Sequence, residues 1–259
     1  MILKPAAPFA DSELLKKRFF ELARKSFNAG IFTFTDFLGL AEQSAFAEIK
    51  KELRGINYEA FGGAEGAERV MVRFGSEDEL GYSLPFPISV IKAEPVSQKY
   101  ADRLTHRDFL GAILNLGIER DVLGDIVIID NVGYIFAKED IAGYIADSLT
   151  KVKRTDMRVR VTDALPEGEL YRTEERTVQA SGERLDAIIA KVFSLSREDA
   201  QTLFKKRLVF ADGRQIDSTS YTPKENEKIS VRGHGRFIYV GCQSFSKKGK
   251  MNILVKVYV

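Results

Sequence analysis

Residues 183–237, ERLDAIIAKVFSLSREDAQTLFKKRLVFADGRQIDSTSYTPKENEKISVRGHGRF, combine two short helical patterns, a basic cluster and a strand region. The apolar residues of the first pattern recur with helical spacing from Leu185 to Val192. Ser196 is a typical N-cap for the second pattern, and the acidic side chains that follow it suit the positive end of a helix dipole. The segment therefore predicts a small α+β module in which two helices pack on strands.

The second helix carries a polar stripe. Arg197, Gln201 and Lys205 recur every four residues and so share one face of the helix. Lys206 and Arg207 continue the positive charge past the helix end, where cations also favour the dipole without any ligand. That alternative does not explain Arg184 in the same module, so the pattern indicates a surface that binds phosphate groups.

More basic side chains follow in the predicted strand region. Two glycines around His234 would let a backbone approach a phosphate closely. The candidate phosphate-binding residues here are Arg214, in a turn of sequence ADGR, the group Arg232, His234 and Arg236, and Lys247 and Lys248 in a second turn.

The middle of the chain has a different order of elements. Segments from PFPISVIKAEP (85–95) to DMRVRVTD (156–163) read strand, helix, strand, strand, helix, strand. This βαββαβ order is typical of the ferredoxin-like arrangement. Tyr134 and Phe136 alternate onto one face of the third strand, as stacking aromatics do in RNA-recognition sheets, although core packing also accounts for at least one of them.

The sequence Thr105-His106-Arg107-Asp108 precedes the first helix of this middle domain. It matches a capping pattern with Asp in place of Glu, and needs no chemistry. His106 and Arg107 at a helix start could also contact a phosphate group, and His106 with Asp108 could do acid–base work. We rank these interpretations in that order.

The remaining segments are connective or helical. Two helical patterns, 11–29 and from about 36 to 53, precede the glycine-rich stretch FGGAEGAERVMVRFG (61–75), which lacks the GK[ST] ending of a P-loop. We read that stretch as a connector and a short strand. The predicted domains are an N-terminal helical domain (1–75), the ferredoxin-like domain (76–163), a linker (164–177) and the C-terminal module with its strands (178–259).

Charge is distributed unevenly. Residues 171–259 hold 17 Lys and Arg against 10 Asp and Glu, whereas the first 170 residues hold 22 against 27. A basic last third on a mildly acidic body indicates a polyanion-binding module. One cysteine and two histidines leave no cysteine-based or histidine-rich metal site, so we expect no metal and no cofactor. We find neither a secretion signal nor an apolar run long enough for a membrane span, and we expect a cytoplasmic monomer that does not contact membranes.

Residues 184–216 followed by EKISVRGHGRF (227–237) resemble the alpha-L RNA-binding motif of small-subunit ribosomal protein S-four. The stretches LTHRDFLGAILNLGIERDVLGDI (104–126) and FGGAEGAER (61–69) resemble the YlmH-like RNA-binding proteins. The resemblance implies action at the large ribosomal subunit, in quality control of stalled peptidyl-tRNA complexes. It also implies an RNA face made of these side chains: Arg184, Ser196, Arg197, Gln201, Lys205, Lys206 and Arg232.

We therefore expect a non-enzymatic factor that binds structured RNA, ribosomal or transfer, mainly through phosphate contacts. Asp186 is expected to orient Arg184 or a backbone amide. Two alternatives stay open at this point. One is an RNA-modifying enzyme that uses His106 and Asp108, and the other is a scaffold that contacts proteins through its N-terminal helices.

Overall fold

The computed structural model describes residues 9–53, 55–166 and 170–259. The chain divides into two compact units, one reaching to residue 42 and resuming from 49 to 170, the other made of 43–48 and 171–259. None of the helices in the described ranges is both long and apolar enough to cross a bilayer. The chain is α+β, as the sequence predicts.

The N-terminal part of the first unit contains more than the predicted helices. A three-stranded antiparallel sheet of order β1-β3-β2 accompanies them. Its strands are short, and our prediction named only the one after the glycine-rich stretch. Residues 1–8 and 54 of the predicted helical domain lie outside the described residues. The elements are α1 (Phe9–Ala29), β1 (Thr33–Phe34), α2 (Leu40–Ile49), β2 (Tyr58–Phe61), β3 (Met71–Phe74) and the one-turn α3 (Glu77–Leu80).

The middle domain has the predicted βαββαβ order. Its main strands lie in the order β5-β6-β4-β8 with antiparallel neighbours, which is the split-βαβ topology, and the two-residue β7 extends the β8 edge. Asp130 and Asn131 both have positive φ, as a two-residue type I′ hairpin requires. The elements are β4 (Ile88–Pro95), α4 (His106–Leu114), β5 (Leu123–Ile129), β6 (Val132–Lys138), α5 (Glu139–Ser148), β7 (Lys151–Val152) and β8 (Thr155–Thr162).

One arginine and one carboxylate, Arg69 and Asp125, join the glycine-rich stretch to this domain. Arg69 donates to the carbonyls of Leu123, Phe37 and Arg120, while the backbone amides of Glu68 and Arg69 donate to the Asp125 carboxylate at 2.7 and 3.0 Å. Burial lowers the pKa of Arg120 to about 10, with the charge of Arg69 adding to the effect. The amides of Glu68 and Arg69 are thus bonded to Asp125 and not open to a phosphate, which agrees with the role of a structural connector.

The second unit contains one six-stranded antiparallel sheet of order β11-β10-β12-β13-β14-β9, with two helices packed on one face. Residues 173–177, which we predicted as linker, lie in β9 because they pair with the last strand of the chain. The elements are β9 (Thr173–Ala180), α6 (Leu185–Val192), α7 (Arg197–Lys205), β10 (Val209–Ala211), β11 (Arg214–Gln215), β12 (Glu227–Val231), β13 (Gly235–Phe245) and β14 (Met251–Tyr258).

Gly63 offers a test of the packing in the first unit. It has φ +95°, and a Cβ there would lie 2.4 Å from the ring of the fully buried Phe136. We expect Gly63→Ala to destabilise this unit by about 2 kcal/mol or more, because alanine is strained at this positive φ and its Cβ would clash with the Phe136 ring. Gly143→Ala is the matched control. It lies exposed in α5 with nothing near its missing Cβ, and should stabilise by roughly 0.5–1 kcal/mol. Urea unfolding followed by circular dichroism measures the stability of both variants. Equal stabilities would contradict the close packing of Gly63 against Phe136.

Candidate nucleic-acid interface

A buried carboxylate lies at the start of α6. The Asp186 side chain is 0% exposed beside the apolar core of the second unit. The backbone fixes its position, since the amides of Leu185 and Asp186 donate to the carbonyls of Tyr221 and Thr219. A buried charge of this kind is stable only when it is paired and hydrogen-bonded.

Three side chains of the predicted RNA face surround Asp186. The Arg184 guanidinium donates to both carboxylate oxygens, each at 3.1 Å, and Gln201 Nε2 donates to Oδ2 at 3.1 Å. Arg197 Nε lies 3.5 Å from the same oxygen. Burial alone would raise the pKa of Asp186, but hydrogen bonds from Arg184 and Gln201 and the charge of Arg197 outweigh it and hold the pKa below its usual value. Asp186 thus orients Arg184, as expected, and also both other side chains.

The polar stripe of α7 runs from this carboxylate to a second basic corner. Lys205 lies eight residues after Arg197, about 12 Å along the helix axis, and is exposed together with Lys206 and Arg207. Arg232 is brought to the same corner because its backbone amide donates to the carbonyl of Leu208. The guanidinium of Arg232 lies 5.2 Å from the centre of the Phe210 ring.

Arg214 lies beside the start of α6. Its Nη2 donates to the hydroxyl of Tyr221 at 3.3 Å, and the guanidinium lies 5.7 Å from that ring. Tyr221 also supplies the carbonyl that accepts from the amide of Leu185. This contact brings Arg214 towards the Asp186 cluster although it is 28 residues away in sequence.

Two residues of the sequence-based set have packing roles in the structure. The Arg236 guanidinium stacks between the rings of Tyr171 and Tyr258, 4.8 and 4.2 Å from their centres. Because side chains alternate along β13 and Phe237 faces the helices, Arg236 lies on the opposite face of the sheet. His234 is exposed with its ring centre 5.9 Å from that of Phe193. Arg236 is thus not part of the α7 stripe.

Ser196 acts as the predicted N-cap. Its Oγ accepts from the amide of Asp199 at 3.0 Å and donates to the carboxylate of the same residue at 2.6 Å. The hydroxyl is therefore bonded within the helix start, and its direct contribution is to the position of the neighbouring Arg197.

Lys247 and Lys248 are exposed in the turn between β13 and β14. Met251, which follows this turn, pairs with Phe245 on one side and with Ala180 on the other. Because α6 starts only five residues after Ala180, the turn lies at the end of the sheet from which the chain leads into α6. Sequence reasoning missed Phe245, which is 67% exposed beside these lysines. An exposed aromatic next to a basic turn was the signal that could have found it.

The middle-domain candidates are less accessible or already bonded. Tyr134 is 8% exposed and Phe136 is fully buried, so their shared face offers no open stacking platform. Thr105 and Asp108 form the predicted capping box, and the Asp108 carboxylate also pairs with Lys153 at 2.9 Å. His106 and Arg107 are exposed at the helix start.

Sequence reasoning also missed a basic strand. Residues 149–162 hold five Lys and Arg against one Asp, and β8 alternates Arg158 and Arg160 with apolar residues. The alternation RVRV at residues 158–161 could have indicated a basic face on this strand, but we used it only to predict the strand itself.

Comparison with known proteins gives three findings. Residues 86–165 match the family described as "Putative RNA-binding domain in YlmH". Ribosome-associated protein quality control protein P2 of Bacillus subtilis is 28% identical over 232 residues, which are 85% of this chain and 84% of that protein. The structure of cell division protein ylmH from Streptococcus pneumoniae, 22% identical, covers 62% of this chain and 96% of its own with a TM-score of 0.46. The first two of these findings confirm the resemblance to YlmH-like proteins.

Replacement of Asp186 tests the role of the buried carboxylate. Because the folded pKa of Asp186 is lowered, its contribution to stability is present above about pH 4 and is lost as the pH falls through the folded value. We expect Asp186→Asn to destabilise the second unit by about 1–3 kcal/mol at neutral pH, and to flatten the acid dependence. Hydrogen exchange of α6 amides against pH measures this. Asp217→Asn, an exposed control, should keep the parental profile. An unchanged profile in Asp186→Asn would refute the assignment.

Proposed function

We propose that this chain is a non-enzymatic RNA-binding factor that acts on the large ribosomal subunit, in quality control of stalled peptidyl-tRNA complexes. The observation that carries the proposal is the cluster in which buried Asp186 holds Arg184, Arg197 and Gln201 on one surface. Guanidinium groups fixed in this way are suited to phosphate oxygens, because their planar donors are already oriented.

The shape of the surface favours structured RNA. The stripe from Arg197 to Lys205 continues at the corner formed by Lys206, Arg207 and Arg232, and Arg214 flanks its other end. Cations spread over this length suit the backbone of a folded RNA, and the α7 stripe itself has no aromatic side chain for base stacking. RNA shape then supplies the specificity.

The similarity to the Bacillus subtilis quality control protein supports the ribosomal setting, since the match spans most of both chains. The family match at residues 86–165 supports RNA as the ligand. We extend both to this chain as a proposal, together with a monomeric state and a cytoplasmic location.

The contacts of Asp108 favour a binder over an RNA-modifying enzyme. Its Oδ2 accepts from the amide and hydroxyl of Thr105 at 2.7 and 2.5 Å and pairs with Lys153. A carboxylate occupied in this way, with its pKa lowered by Lys153 and Thr105, is a weak proton acceptor. This supports capping over catalysis as the role of the Thr105–Asp108 segment.

The α7 stripe can be tested by charge reversal. We expect Arg197→Glu with Lys205→Glu to weaken binding to transcribed large-subunit ribosomal RNA at least about tenfold, because two phosphate contacts become repulsive. Filter binding measures the affinity, and circular dichroism checks the fold. Lys191→Glu with Lys224→Glu is the control of equal charge, since both lysines are exposed in the same unit and Lys191 lies about 140° around α6 from Asp186. An equal loss of RNA affinity in the two double variants would mean that only the net charge matters, and the α7 stripe would not be the binding surface.

Salt dependence tests the phosphate contacts independently of any mutation. If about six cations neutralise phosphates, the logarithm of the binding constant should fall with the logarithm of salt concentration with a slope of roughly −4 to −6. A titration of the same RNA across potassium chloride concentrations gives the slope. A nearly flat line would mean that phosphate contacts do not dominate, and the proposal would fail.

A further inference from the structure

A second group of cations lies on the middle domain, outside the C-terminal interface, and all of them except the half-buried Lys92 are exposed. We name it the β8 surface and define it by Lys92, Lys153, Arg154, Arg158 and Arg160. Arg158 and Arg160 project from one face of β8, and Lys92 of the neighbouring β4 pairs directly with Arg160. Lys153 and Arg154 form the turn between β7 and β8.

Each guanidinium or ammonium group of the β8 surface lies within ion-pair distance of a carboxylate that is mostly buried. Glu94 is 22% exposed and lies 2.8 Å from Lys92, 3.0 Å from Arg160 and 3.9 Å from Arg158. The three cations belong to two neighbouring strands, so Glu94 gathers them into one cluster.

The turn repeats the arrangement. Asp102, 26% exposed, lies 3.2 Å from Arg154, and Asp108, 17% exposed, lies 2.9 Å from Lys153. The three arginines form the outer layer, with the Arg154 side chain 90% exposed, Arg158 66% and Arg160 51%, whereas Lys92 at 23% is as sheltered as Glu94. The surface offered to a ligand is therefore positive even though carboxylates lie beneath it.

Ordinary surface ion pairs are the competing explanation, because exposed pairs contribute little and need no ligand. Two observations go beyond it. Five cations against one acid within 149–162 far exceed what pairing inside that segment requires. The geometry also matches the Asp186 cluster, where Arg184 and Arg197 are 45% and 54% exposed above a carboxylate that is 0% exposed.

We propose that the β8 surface is a second RNA-binding site, which takes the phosphate backbone of a folded RNA. The site rests on the proposed function and deepens it, because it adds a contact through the middle domain. Lys92 pairs with Arg160 on one side and with Tyr134 on the other, so the β8 surface lies on the sheet face that carries Tyr134 and Phe136. Neither ring is open to a base, so the contact is made to phosphates and not by base stacking. Arg158 and Arg160, about 6.8 Å apart along the strand, can meet separate phosphates.

The test compares full-length variants in filter binding to transcribed large-subunit ribosomal RNA. We expect Arg158→Glu with Arg160→Glu to weaken binding about tenfold, because two phosphate contacts become repulsive. The neutral pair Arg158→Ala with Arg160→Ala should make the salt slope shallower by about 1.5. The control of equal charge is Lys17→Glu with Lys25→Glu, exposed on α1 of the same unit, which should bind like the parent.

Glu94→Gln gives a readout of opposite sign. Removal of the sheltered charge leaves all three cations in place, so RNA binding should tighten roughly two- to fivefold. If the cluster only stabilised the domain, Glu94→Gln would lower the unfolding midpoint and leave the affinity unchanged. This variant keeps the proposal testable even if the double arginine variant fails to fold.

The outcomes separate this inference from the proposed function. If both β8 variants and Glu94→Gln bind within about twofold of the parent while Arg197→Glu with Lys205→Glu loses binding, the β8 surface is not an RNA site and the proposed function stands. If reversal on α7 also leaves binding intact, the proposed function fails and this inference with it. Retention of RNA affinity with loss of a co-purifying protein would assign the β8 surface to a protein partner instead.

Discussion

The buried carboxylate of Asp186 is the constraint on which the C-terminal surface depends. An ionised side chain with no solvent exposure has to be paired and hydrogen-bonded: Arg184 and Arg197 supply the positive charge, and Gln201 supplies a further hydrogen bond. Arg184 lies at the start of α6, whereas Arg197 and Gln201 belong to α7, and the sequence alone does not show that the two groups meet. A requirement of folding therefore fixes the geometry of the surface, because the carboxylate cannot be buried unless its partners converge on it.

The segment before α6 is held by equally specific contacts. The Tyr239 hydroxyl donates to the carboxylate of Glu183 at 2.5 Å. Burial, and then this hydrogen bond, raise the pKa of Tyr239. The loop carbonyls of Thr219 and Tyr221 accept from the first amides of the helix. The acidic Glu183, two residues before α6, is thus accommodated by a hydrogen bond from β13. The start of α6 at Leu185 is set by tertiary contacts as much as by its own sequence.

Local patterns could be predicted from sequence, and contacts between distant residues could not. The spacing of Arg197, Gln201 and Lys205, the capping box at Thr105 and the hairpin at Asp130 each depend on neighbours a few residues away. The position of Arg236 depends instead on two tyrosines, 65 residues before it and 22 after it. The burial of Phe136 depends on the approach of Gly63. Neither contact leaves a periodic signal, so charge and aromatic character alone suggested ligand contacts for side chains that pack internally.

The carboxylates beneath the exposed arginines have a physical consequence for binding. A free arginine loses conformational entropy when it closes on a phosphate, whereas one already held by a carboxylate has lost part of it on folding. Such pairing does not block the ligand, because a guanidinium has five donors and Asp186 engages only two groups of Arg184, Nε and Nη2. The carboxylate still opposes an incoming phosphate through its own charge. The depth of the carboxylate decides which of these two effects is larger. A carboxylate farther from the surface repels the phosphate less, while it orients the cation equally well. By this argument Asp186, fully buried, orients its arginines with less repulsion than Glu94, which remains partly exposed beneath the β8 cations.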